Sequence, residues 1–133
     1  MIDIETQVMT LVHTAVTAQY PSARFESVLN LEPSGFPCVC VEEIDNTTRT
    51  STIDSGSNEN HANVAYEINI FTNDMSGKKQ AAKKILALID TAMIAKGFAR
   101  TTYIPNGLDH GTKYRLLVRY QATVDKQNRI YRR

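Results

Sequence analysis

The stretch VAYEINIFT, Val64 to Thr72, alternates with a strict period of two. Successive side chains of a strand point to opposite sides, so Val64, Tyr66, Ile68 and Ile70 share one face and Ala65, Glu67, Asn69 and Phe71 the other. The pattern predicts a strand whose first face enters a core and whose second face is mainly polar. Tyr114 to Val124 repeats it, with Tyr114, Leu116, Val118, Tyr120, Ala122 and Val124 inward and Arg115, Arg119 and Gln121 outward. A chain holding two such segments must build a sheet and find something to cover its apolar face.

Two other segments supply the cover. From Asp3 to about Gln19, Ile4, Val8, Leu11, Val12, Ala15 and Val16 fall three and four residues apart and form one stripe along a helix, with Asp3 as cap and Pro21 beyond its end. From Lys78 to Lys96, Ala82, Ile85, Leu86, Ile89, Ala92 and Met93 do the same, and Gly97 is placed to close that helix in a left-handed conformation. Shorter strands are expected at Phe25 to Leu31, at Cys38 to Ile44 after the PSGFP turn, in FARTTYIP before a PNG turn, and in RIYRR after a turn at DKQN. Hairpin-length connections with two singly striped helices predict an α+β two-layer domain: an antiparallel or mixed sheet with both helices on one face. The chain, 133 residues long, reads as a single domain over 1–133. Residues 46–63, NTTRTSTIDSGSNENHAN, interrupt it with Ile53 as their only large apolar side chain. TTRTST is expected to extend a hairpin, and DSGSNENHAN to form a mobile tip with too little apolar area to fold alone.

The residues that carry chemistry are sparse. His13, His61 and His110 belong to no HxH, HExxH or CxxC cluster, and no GxGxxG, GxxxxGK[ST] or GxSxG is present. Asp54, Glu59 and His61 share the polar loop and Asp109 adjoins His110, which motivates a small enzyme or regulatory domain as the least favoured reading. Cys38 and Cys40 point to one face of their strand and read as free buried thiols, or as half of a soft-metal site completed by a partner chain. Neither a metal nor a cofactor is expected. The net charge of +1 removes the uniform field on which non-specific DNA or membrane binding relies. KKQAAKK, Lys78 to Lys84, reads as a solvated helical face. No apolar run is long enough for a membrane span, and MIDIETQVMT lacks the pattern of a signal peptide, so a cytosolic protein with no membrane contact is expected.

Four segments together resemble a known group: YEINIFTND (Tyr66 to Asp74), GKKQAAKKILALIDTAMIAKGFART (Gly77 to Thr101), YRLLVRYQATVD (Tyr114 to Asp125) and the closing NRIYRR. They are similar to the tail terminator, or tail completion, proteins of long-tailed bacteriophages and prophages, often labelled minor capsid proteins. The motifs are structural and cover the last half of the chain, while element order matches throughout. The N-terminal half has no segment that matches residue by residue.

The resemblance implies a non-enzymatic assembly protein without cofactor. Its partners would be further copies of itself in a ring, a hexamer in the virion and a monomer in solution, together with the major tail tube protein and a head–tail connector protein. The ring would cap the tail tube, stop its polymerisation and present a docking surface to the DNA-filled head, with DNA passing through without sequence-specific binding. The location would be the host bacterial cytoplasm during assembly and then the tail or neck of the virion. Another neck component, a stopper or head completion protein, is the alternative. Candidate oligomer or tail contacts are Arg49, Asp54 and Glu59 in the loop, Glu67, Arg115 and Arg119 on the outward strand faces, and Arg132 and Arg133 at the basic end.

Overall fold

The alternating stretch becomes the centre of the molecule. A computed structural model describes residues 1–48, 61–105 and 113–131. Its elements, in chain order, are α1 (Glu5–Thr17), β1 (Arg24–Glu26), β2 (Cys38–Thr48), β3 (His61–Thr72), α2 (Lys78–Lys96), β4 (Ala99–Ile104), β5 (Tyr114–Asp125) and β6 (Ile130–Tyr131). The sheet runs β1-β2-β3-β5-β4, with β6 also on β5. β3 lies between its two longest partners, antiparallel to β2 from Cys38↔Phe71 to Thr48↔Ala62 and to β5 from Thr72↔Tyr114 to His61↔Asp125.

The helices cover one face. Ile4, Val8, Val12 and Val16 of the first stripe and Ala82, Ile85, Leu86, Ile89 and Met93 of the second are buried against Val39, Val41, Val64, Tyr66, Ile68, Ile70, Leu116, Val118, Tyr120, Ala122 and Val124. Every inward residue expected on the two long strands is there. This is the α+β two-layer arrangement, and its sheet is mixed, because β1 pairs with β2 in parallel through Arg24↔Cys38, Phe25↔Val39 and Glu26↔Cys40.

The helix ends follow their local chemistry. Asp3 does not occupy the cap position, which is Ile4, but its carboxylate accepts the Glu5 N–H at 2.9 Å and so satisfies one of the open donors. α2 closes as the sequence predicts, with Gly97 at φ 111°. The Gly97 N–H donates to Ile94 O and the Phe98 N–H to Met93 O, both at 3.0 Å, which is the Schellman pattern, and buried Phe98 supplies the apolar contact that accompanies it.

Three expectations change. The strand expected over Phe25 to Leu31 is reduced to Arg24–Glu26, because residues 27–37 leave the edge and cross the sheet face opposite the helices. There Leu29 and Phe36 pack on Cys38, Cys40 and Phe71. The end of this crossing is tied by Lys113, whose Nζ donates to Leu31 O at 2.8 Å and meets Glu32 at 3.2 Å. The second face is therefore partly covered, and Ala65, Glu67, Asn69 and Phe71, on the face read as mainly polar, are buried. Finally, His61, Ala62 and Asn63, expected in the loop tip, open β3, while Thr47 and Thr48 extend β2 opposite Asn63 and Ala62 as expected of the hairpin.

Candidate assembly surface

Glu67, Arg115 and Arg119, expected outward, are brought together on the face opposite the helices. The β3–β5 register sets Glu67 opposite Arg119 and Phe71 opposite Arg115. Arg119 donates from Nε and Nη2 to Glu67 Oε2, each at 2.9 Å. Asn69 Nδ2 donates to the other Glu67 oxygen at 3.1 Å, and Arg115 Nε donates to Asn69 Oδ1 at 2.9 Å. The Arg115 guanidinium also lies 5.8 Å from the Phe71 ring centroid, within cation–π range. This corrects the reading of Glu67 as an exposed charge: its side chain is 11% exposed and already paired within the chain, whereas that of Arg119 is 44% exposed. The surface thus presents the outer part of Arg119 over a neutralised carboxylate.

At the far end of the same strands, Asp125 organises the turn into β6. Its Oδ1 accepts the N–H groups of Gln127 and Arg129 at 2.9 and 2.8 Å, and its Oδ2 accepts Arg129 Nε at 2.7 Å and the Tyr131 hydroxyl at 2.9 Å. Burial alone raises this carboxyl; the donors from Arg129, Tyr131 and Gln127 overcome that and bring it down to about 2. The Tyr131 hydroxyl is raised, chiefly because it donates to Asp125. With both oxygens occupied by donors, Asp125 is a structural clamp rather than a proton acceptor for chemistry. His61 stands opposite Asp125 in the register with its ring 5.9 Å from that of Tyr131, and its buried Nδ1 has no hydrogen-bond partner among the described residues.

The other candidates do not converge. His13 is exposed on α1 and lies 4.6 Å from the Phe25 ring, beside an open cleft of about 220 Å³ lined by Met9, Thr10, His13 and Phe25. No second titratable group lines it. Lys79, Lys83 and Lys84 are exposed on α2, as a solvated face requires. Arg49, Asp54, Glu59, Asp109, His110, Arg132 and Arg133 lie outside the described residues. No helix among the described residues is long and apolar enough to cross a membrane.

Sequence reasoning passed over two groups that the fold places well. Tyr66 and Tyr120 send their hydroxyls out of the core to Glu43 at 3.1 Å and Asp90 at 2.8 Å, and Arg100 pairs with Asp90 at 3.3 Å. Burial raises both phenols well above their ordinary range. The second group is Glu26, which the parallel register brings beside Cys38 and Cys40. The two thiols do share one face as expected, and both are free and buried. Their mutual interaction raises Cys38 and lowers Cys40, and Cys38 Sγ also contacts Glu26 Oε2 at 3.5 Å.

No protein-family model and no curated protein matches the sequence. Among solved structures, the chain is similar in fold to the sheath/tube terminator, in its extended state, of PVC, an extracellular contractile injection system, seen by cryo-EM. The TM-score is 0.51 at 11% identity, over 95% of this chain and 58% of that one. A second solved protein gives a TM-score of 0.54 at 8% identity, over 91% of this chain and 95% of that one. At such identities the likeness is one of fold.

Proposed function

We propose that this protein is a tail-terminator-type assembly protein, which forms a ring on the end of a tail tube, stops the tube's growth and offers a surface to the head side of the particle. The observation that carries this reading is that nearly the whole chain, 95%, superposes on a sheath/tube terminator. The resemblance of Tyr66–Asp74, Gly77–Thr101 and Tyr114–Asp125 to phage tail terminators supports it independently. In this reading the chain works without a cofactor. Its partners are further copies in a hexameric ring, the tube protein and a connector protein, and DNA passes through the ring without being read. It acts in the bacterial cytoplasm during assembly and remains in the tail or neck of the particle.

The partly exposed Arg119 and the long β2–β3 hairpin offer contacts beyond the fold's own network. The decisive experiment is tube polymerisation from purified tube protein with and without this chain, imaged by electron microscopy. Tubes with a ring at one end and a bounded length are expected with it, and tubes of uncontrolled length without it. Unchanged tubes together with a ring seated on the head-side connector would assign the chain to the neck instead.

A further inference from the structure

We propose that Glu26, Cys38 and Cys40 form a binding site for a thiophilic divalent cation of the zinc class, which ties the short β1 strand and the crossing of residues 27–37 to the sheet. The parallel register places Glu26 beside Cys40, and Cys38 and Cys40 share a face of β2. One donor atom from each of the three residues lies within 4.8 Å of the other two. A tetrahedral zinc ion with sulfur at about 2.3 Å and oxygen at about 2.0–2.2 Å needs donors roughly 3.5–3.8 Å apart. The three donors stand on two paired strands, already within 4.8 Å of one another, so the contraction that a bound ion requires is small.

The donor set has the right chemistry. Two thiolates select a zinc-class ion over calcium or magnesium, and a carboxylate completes a three-ligand set that leaves the fourth position for water. Binding replaces both thiol protons with the metal. The carboxylate is already aimed: Asn30 Nδ2 donates to Glu26 Oε2 at 2.9 Å, and Cys38 Sγ contacts the same oxygen at 3.5 Å. Such an outer hydrogen bond orients the ligand and strengthens the site. Cys38 and Cys40 are fully buried, with Leu29, Phe36 and Phe71 packed about them, so a bound ion would be held in a largely dry environment. The inference is independent of the proposed ring function, since it concerns ligands within one chain.

The test is titration of the reduced full-length protein with Co²⁺ and then Zn²⁺. The readouts are the thiolate-to-cobalt charge-transfer absorption, its displacement by zinc, and the melting temperature. One cobalt ion per chain with thiolate absorption is expected, along with a higher melting temperature in zinc. Cys40→Ser should abolish the absorption and the thermal shift. Glu26→Gln, at a half-buried position, should keep the fold by circular dichroism and weaken zinc binding by more than the roughly 10-fold that loss of an outer hydrogen-bond partner costs, because here a ligand itself is lost. Absence of thiolate absorption in the reduced wild-type chain would overturn the proposal. So would zinc affinity unchanged in both Glu26→Gln and Cys40→Ser, because the metal would then be held elsewhere.

Discussion

Arg119 and Glu67 illustrate how a charge pair changes meaning once its register is known. As an exposed pair it would contribute little to folding; with the Glu67 side chain 11% exposed, removing the arginine strands a carboxylate in a place water reaches poorly. Because Arg119 is itself 44% exposed, the loss falls well short of that for a fully buried pair. Arg119→Ala should destabilise the chain by about 1–2 kcal/mol in urea denaturation. Adding Glu67→Gln to that variant should restore part of the loss, because the stranded charge is gone while Asn69 keeps an acceptor. A neutral Arg119→Ala would mean that the pair does not hold the face together. Asp125 gives a pH prediction of definite sign. Its folded value of about 2 lies below the ordinary 3.8, so the clamp stabilises the fold fully above about pH 4 and loses that contribution as the pH falls towards 2. Asp125→Asn should flatten this part of the acid limb in melts taken between pH 5 and 2; an unchanged limb would place the acid sensitivity in other carboxyl groups.

At the level of elements, the boundaries that were legible are those set by local chemistry. The α2 stop is one: Gly97 at φ 111° takes a conformation in which a Cβ meets the following carbonyl, so Gly97→Ala should lower stability by about 1–2 kcal/mol in chemical denaturation while leaving the helix content nearly unchanged. An unaltered midpoint would show that the Schellman closure is held by Phe98 alone. The helix stripes and the alternation of β3 and β5 were legible for the same reason, since each residue's partner face is set by its own strand or helix. What sequence could not give is pairing at a distance. Glu67 and Arg119 are 52 residues apart in the chain, and nothing local says that they meet. The parallel placement of β1 and the crossing of residues 27–37 depend on Leu29 and Phe36 finding Cys38, Cys40 and Phe71, contacts that a strand pattern at Phe25 to Leu31 does not encode. That crossing also explains why a face that reads as mainly polar is buried. The three-donor cluster at Glu26 was invisible for the same reason, because only the β1–β2 register puts a carboxylate beside CVC.

For the whole molecule, the two-layer core leaves little of its charged network free, and this shifts where assembly contacts must be sought. Glu67, Asn69 and Arg115 are tied to each other, and Asp125 is saturated by its own turn. Surfaces that remain among the described residues include the outer part of Arg119, the β4 strand with Tyr103 and Ile104 at 40% and 44% exposure, and the β2–β3 hairpin, which stays paired as far as Thr48↔Ala62 past a register shift between Glu43 and Asp45. The hairpin separates folding from assembly most cleanly, because its core-facing pairs lie before Thr48 and after His61 while the residues between contain one large apolar side chain, Ile53. Replacing residues 49–61 with a two-residue Asn-Gly turn joins the paired residues Thr48 and Ala62 directly, suits the right-handed twist of paired strands and shortens the loop that folding must close. The trimmed chain should therefore melt within a few degrees of the parent. If the proposed terminator role is right and the arm reaches a neighbouring copy or the tube, the same chain should fail to bound tube length in the polymerisation assay. Full capping by the trimmed chain would remove the arm from the mechanism and direct attention to Arg119 and β4, whereas a large loss of melting temperature would show that the segment belongs to the fold.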